Sequence, residues 1–218
     1  MSRRPKHDPK ESEREILNAA EQFLRERPFR EMTVEAVMSR TGLKRPAFYV
    51  HFRDRHDLAL RVVEDLGQEL SEMVDRWLVG TDLHNDARAA FEGLTDVYQR
   101  HGAVLSALAD AAGGDAQVEA AYGQMVQRFI DATAKRFAAD QAEGLIRADI
   151  DIEETARALV WMDERYLTQA LGRAPQADPK RVAEVLYSIW VSAVYGSESV
   201  PKSPKASRPQ RRRRATRS

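Results

Sequence analysis

The 218-residue chain contains no cysteine, which excludes a disulfide framework, a zinc-finger spacing and a thiol nucleophile. Its net charge of zero hides an uneven distribution: residues 1–10 carry +3, residues 197–218 carry +7, and the stretch 11–196 sums to −10. A phosphate backbone responds to local charge, so neutrality does not argue against nucleic acid; no apolar run reaches membrane-span length and none follows the charged N-terminus, so a cytoplasmic protein without a membrane segment is expected.

Nearly every segment reads as helix, with no sustained alternation of period two, which predicts an all-α fold of about nine helices. The first covers 10–26, with Ile16, Leu17, Ala20, Phe23 and Leu24 on one face, and stops before Pro28. A short second helix starts after the N-cap Thr33 and ends at Gly42, in a position suited to left-handed backbone. The third begins near Lys44 with Pro46 in its first turn, and Phe48 and Phe52 share one side. The fourth opens on the capping carboxylate of Asp54 and runs to about residue 79. Helices follow over 86–99 and 104–109, separated by a corner at His101-Gly102, then over 116–142, 151–171 and 180–195. The expected organisation is a disordered basic arm (1–9), a helix-turn-helix unit (10–56), a larger helical domain (57–196) and a disordered basic tail (197–218).

Two short helices across Gly42, braced by a longer first helix, form a tri-helical helix-turn-helix pattern, whose DNA-binding version lays its second helix in the major groove. Arg45 suits a bidentate contact with a guanine edge and Ala47 a thymine methyl. Lys44, Tyr49 and Arg55 suit phosphates. On local pattern alone, solvated charges and a rim aromatic fit equally well. The segment from Thr33 to Phe52, followed by Arg53-Asp-Arg-His-Asp-Leu58, also resembles the N-terminal domain of the TetR family of regulators: a glycine turn, the ending Phe48-Tyr49-Val50-His51-Phe52, then a basic residue in the next first turn. The resemblance implies DNA binding, with Thr33, Lys44, Arg45, Ala47, Tyr49, His51 and Arg55 as candidate contacts. Lys44 stands where the family has Ser or Thr, and Arg55 where it has Lys.

The last helix is apolar nearly all round, so it must be buried on two sides, either inside a monomer or against a second copy. Aromatic residues cluster in Phe91, Tyr98, Tyr122, Phe129, Trp161, Tyr166 and Trp190, which fits either ordinary core or a ligand pocket. Trp161-Met-Asp-Glu-Arg-Tyr166 and Leu186-Tyr-Ser-Ile-Trp-Val-Ser-Ala-Val-Tyr-Gly196 resemble the last two helices of the EthR-like branch of the same family. That resemblance implies a homodimer through predicted helices 8 and 9. It also implies a pocket along predicted helices 5, 7 and 8, lined by Leu94, Tyr98, Tyr122, Val126, Phe129, Thr133, Val160, Asp163 and Trp190. Asp163 replaces an asparagine of that branch. An ionised carboxylate cannot donate a hydrogen bond, so Asp163 either pairs with Arg165 or Arg157 or prefers a ligand carrying a donor or a positive charge.

The expected function is therefore a ligand-responsive repressor, released from a double-stranded operator by a small, largely apolar molecule of unknown identity. A DNA-binding regulator without an effector is the alternative. A helical enzyme has little to work with: His7, His51, His56, His84 and His101 form no metal-ligand pair, and no nucleophile elbow or phosphate-binding glycine loop is present. No catalytic residue, metal or cofactor is expected. Arg211 to Arg214 fit either a solvated tail or a non-specific grip on phosphates, and Arg3-Arg4 a minor-groove arm.

Overall fold

The computed structural model describes residues 8–80 and 82–195. The basic tail, Gly196 and most of the basic arm lie outside these residues, but Asp8 and Pro9 belong to the first helix. Among the described residues the fold is eight α-helices and one short 3-10 turn. Helix α1 (Pro9–Glu26) is capped by the Asp8 carboxylate, which accepts from the Lys10 N–H at 3.0 Å, and Pro9 fits its first turn. The 3-10 turn Phe29–Glu31 leads to α2 (Val34–Met38), capped by the Thr33 hydroxyl. Then come α3 (Arg45–His51) and α4 (Arg55–Val79), the latter started by the Asp54 carboxylate on two N–H groups. The remaining helices are α5 (Leu83–Ala112), α6 (Ala116–Ala142), α7 (Ile152–Leu171) and α8 (Pro179–Val194), each opened by an aspartate cap: Asp82, Asp115, Asp151 and Asp178.

Two expectations change. The corner at His101-Gly102 does not exist, so the helices expected over 86–99 and 104–109 are one continuous α5. Gly102 serves close packing instead: a Cβ there would meet the Leu171 carbonyl oxygen at 2.7 Å, at the end of α7. Gly42 does not take the left-handed conformation; among the described residues only Gly144, just past α6, has positive φ. The α2–α3 turn is held by the Gly42 N–H donating to Glu15 Oε1 of α1 at 2.5 Å.

One core runs through the molecule. Ile16, Phe23, Met32, Val37, Phe48 and Leu58 bury the apolar faces of α1–α4 against each other, and the same cluster continues through α5 to Leu186 of α8. Helix α5 is the spine and packs against α1, α4, α6, α7 and α8. A second cluster around Trp77, Phe137, Ile146, Leu159 and Val194 closes the far end of α4. There Arg136 Nη1 donates to the carbonyls of Trp77, Leu78 and Gly80, while its Nε donates to Asp140 at 2.8 Å. The terminal carbonyls of α4 are thus satisfied by a half-buried arginine.

Candidate nucleic-acid interface and ligand cavity

Phe48 is fully buried and Phe52 nearly so, and together they root α3, which packs on α1 and α2, in the core. The opposite side of α3 is open. Lys44 and Arg45 are exposed, Tyr49 is half exposed and Val50 is 74% exposed, the most open side chain of this helix's apolar residues. Val50 was absent from the sequence-derived candidates, although its place two residues from Phe48 puts it on the far side of the helix. Arg45 is not loose: it pairs with Glu35 of α2, its Nη2 donates to the Tyr49 hydroxyl oxygen at 3.0 Å, and its guanidinium lies 5.8 Å from the Tyr49 ring centre. Lys44 sits at the N-cap and supplies no side-chain cap, in keeping with a position where Ser or Thr is expected.

The remaining candidates are placed differently. The Thr33 hydroxyl accepts from the Ala36 N–H at 3.1 Å, and Ala47 is half-buried. His51 is half-buried and faces a groove that also holds Glu13, Asp57 and Arg61. Arg55 Nη1 donates to the carbonyls of Arg30 (3.3 Å) and Met32 (3.1 Å), and its guanidinium lies 5.1 Å from the Phe29 ring centre. In the free protein Arg55 therefore ties α4 to the turn before α2.

The helical body holds an apolar cavity of about 770 Å³, mouth included. It is a narrow slot among packed side chains. Of the nine pocket residues expected from sequence, eight line it: Leu94 and Tyr98 from α5; Val126, Phe129 and Thr133 from α6; Val160 and Asp163 from α7; Trp190 from α8. Tyr122 stands one layer back, its hydroxyl donating at 2.8 Å to Glu164, which does line the cavity. Trp161 and Tyr166 are not part of it; they are 43% and 40% exposed on the outer face of α7. Helix α4 is the contribution the sequence did not reveal: Leu70, Val74 and Trp77 form one wall. Their spacing signalled only a buried stripe, and which core stripe borders a void depends on tertiary packing.

Polar groups gather along α7. The Trp190 Nε1–H donates to Asp163 Oδ1 at 3.1 Å. The pairing of Asp163 with Arg165 or Arg157 does not occur: Arg157 bonds Glu154, and Asp163 makes no ion pair among the described residues. Burial pushes the Asp163 carboxyl well above the usual aspartate range, opposed only by the Trp190 hydrogen bond. Burial likewise raises the Tyr98 and Tyr122 phenols, which stay neutral. Trp190 is fixed edge-to-face against Trp77, Phe91 and Phe137, with ring centres 5.4 to 5.9 Å apart. The Trp77 indole N–H is the only fully enclosed side-chain polar atom without a partner among the described residues.

Hydrogen bonds link the two regions. His56 Nε2 meets the Asp115 carboxylate at 2.8 Å, joining the start of α4 to the cap of α6. His101 of α5 meets Glu21 of α1 at 3.2 Å, which draws the Glu21 carboxyl below the usual glutamate range. No group of three or more His, Asp or Glu side chains fit to hold a metal occurs among the described residues, and none of their helices is long and apolar enough to cross a membrane.

Comparison with known proteins agrees with this geometry. Residues 16–62 match the bacterial regulatory proteins of the tetR family, and residues 87–196 match the C-terminal domain of the transcriptional regulator EthR. The HTH-type transcriptional regulator EthR of Mycobacterium tuberculosis is 29% identical over 198 residues, covering 88% of this chain and 90% of the relative. Its namesake in Mycolicibacterium smegmatis is 26% identical over 199 residues, covering 90% and 91%. Among solved structures, GusR of Salmonella enterica superposes with a TM-score of 0.73 at 20% identity, over 85% of this chain and 96% of that one, a likeness of fold.

Proposed function

The chain belongs to the TetR family of bacterial transcriptional regulators, with an EthR-type C-terminal domain, and from that premise we propose a homodimeric cytoplasmic repressor that a small, largely apolar effector releases from its operator. That it is a DNA-binding transcriptional regulator follows from the family. The observation that carries the effector reading is the course of α4. Its first turn holds Arg55 and His56 beside the helix-turn-helix, and its last three turns supply Leu70, Val74 and Trp77 to the cavity wall, with about 22 Å of continuous helix between Arg55 and Leu70. A molecule that widens the narrow slot pushes on α4 and carries α3 with it. Two recognition helices must sit about 34–36 Å apart to enter successive major grooves on one DNA face, so a small displacement weakens binding.

Support for the dimer comes from the outer faces of α7 and α8, where Trp161, Tyr166, Val185 and Ile189 are 39 to 43% exposed. Exposed apolar side chains on these two helices favour an isologous contact between two copies. On α3, the candidate contacts are Lys44, Arg45, Tyr49 and Val50 to DNA; Arg55 acts by holding the motif's frame, with a phosphate contact only after it leaves its carbonyls.

The test is a thermal-unfolding screen of the full chain with small apolar molecules, followed by operator release for those that raise the Tm. At least one stabilising molecule must also release DNA. If stabilising ligands leave the DNA complex intact, or none stabilises, the cavity is ordinary core and the protein is a regulator without an effector.

A further inference from the structure

Within the effector reading above, on which this rests, we propose that the cavity selects an organic cation: an apolar molecule ending in an amine, whose ammonium group Asp163 holds beside Trp190. Two carboxylates, Asp163 and Glu164, line the cavity and no Lys, Arg or His does. They are not equivalent. Glu164 is only half-buried, and its Oε1 accepts hydrogen bonds from Tyr122 (2.8 Å) and Thr168 (3.2 Å). Asp163 is 6% exposed and has a single hydrogen bond, from Trp190 to Oδ1, which leaves Oδ2 without a partner among the described residues. Neither arginine offered by the sequence pairs with it: Arg157 bonds Glu154, and Arg165 is exposed.

A buried carboxylate without a cation is costly, and a ligand that brings the cation removes that cost. The walls suit the same chemistry. Trp77, Phe91, Phe129 and Trp190 line the cavity; aromatic faces attract an ammonium group, and the rings bury a hydrocarbon tail. The other titratable groups facing Asp163 across the cavity are Tyr98 of α5 and Glu164 of α7; the lining residues of α4, α6 and α8 carry none. Burial raises the Asp163 carboxyl well above the usual aspartate range, which favours the protonated form over a carboxylate without a cation. An ammonium ion entering as such displaces that proton to solvent, leaving a neutral ammonium–carboxylate pair. Asn, the expected residue at this position in the EthR-like branch, offers no such charge.

The experiment is calorimetric titration of the full chain at about pH 7 with octylamine and with octanol, repeated in two buffers of different ionisation enthalpy. Octylamine is expected to bind at least about tenfold more tightly, the scale of one hydrogen bond to a charged group, and to release a proton. Asp163→Asn is expected to bring octylamine down to the level of octanol and abolish proton release, while thermal unfolding shows the variant folded. Equal affinities in the wild type, or a preference for the amine that survives in Asp163→Asn, overturn the inference. Binding of neither molecule would instead count against the effector reading, and the inference falls with it.

Discussion

Asp163 makes folding depend on pH in a defined direction. A carboxyl whose folded pKa is raised binds its proton more tightly in the folded state than in the unfolded chain. Stability is therefore lost as pH rises from the ordinary aspartate value, about 3.9, toward the raised one. Asp163→Asn removes the ionisation but keeps a carbonyl for the Trp190 N–H. In calorimetry its Tm advantage over the wild type is expected to be larger at pH 8 than at pH 5; an advantage independent of pH contradicts the assignment. Phe48 is the other decisive single residue. It is fully buried in the core that α3 shares with α1 and α2, so Phe48→Ala is expected to cost about 3–5 kcal/mol, read as a lowered urea midpoint. Its role was legible in the sequence because Phe48 and Phe52 are one helical turn apart. The Glu35–Arg45–Tyr49 group was not: ten residues and a turn separate Glu35 from Arg45, and only the crossing of α2 and α3 brings them together.

At the scale of elements, helix beginnings were legible and one interruption was misread. Thr33, Asp54 and Asp151 cap the helices expected of them, because capping is a local hydrogen bond between neighbours in sequence. Gly102 was misread because glycine marks both chain reversal and close approach of two backbones, and only the packing distinguishes them. Leu171 O and Gly172 Cα stand within 3.0 Å of where its Cβ would be, and both are backbone atoms that move only with the end of α7. Gly102→Ala is accordingly expected to destabilise by about 1–3 kcal/mol despite alanine's higher helix propensity, measured by chemical denaturation; a stabilised variant would return Gly102 to the role of a simple helix glycine. The contribution of α4 to the cavity was equally hidden, since Leu70, Val74 and Trp77 read as core whether or not space lies beside them.

For the whole molecule, the proposed dimer draws on apolar side chains that a single copy leaves exposed. Val185 and Ile189 lie one turn apart on α8 and are exposed, as are Trp161 and Tyr166 of α7. Val185→Glu combined with Ile189→Glu is expected to shift the protein from dimer to monomer in light scattering, with helicity retained; an unaltered dimer would place the interface elsewhere. The apolar character of α8 was legible in the sequence, whereas the inward direction of Tyr187 and Val191 and the outward direction of Val185 and Ile189 needed the neighbouring helices.

The central claim is that α3 reads DNA while the helical body responds to a ligand and holds the dimer. Its most direct test is a footprint of the full chain on the DNA upstream of its own coding region, beside Arg45→Ala and Tyr49→Ala. The wild type is expected to protect a two-fold site with half-sites about one helical turn apart, or a small multiple of it, and both variants to lose that protection while remaining dimers. Unchanged protection by the variants would contradict the assignment of α3 as the reading helix.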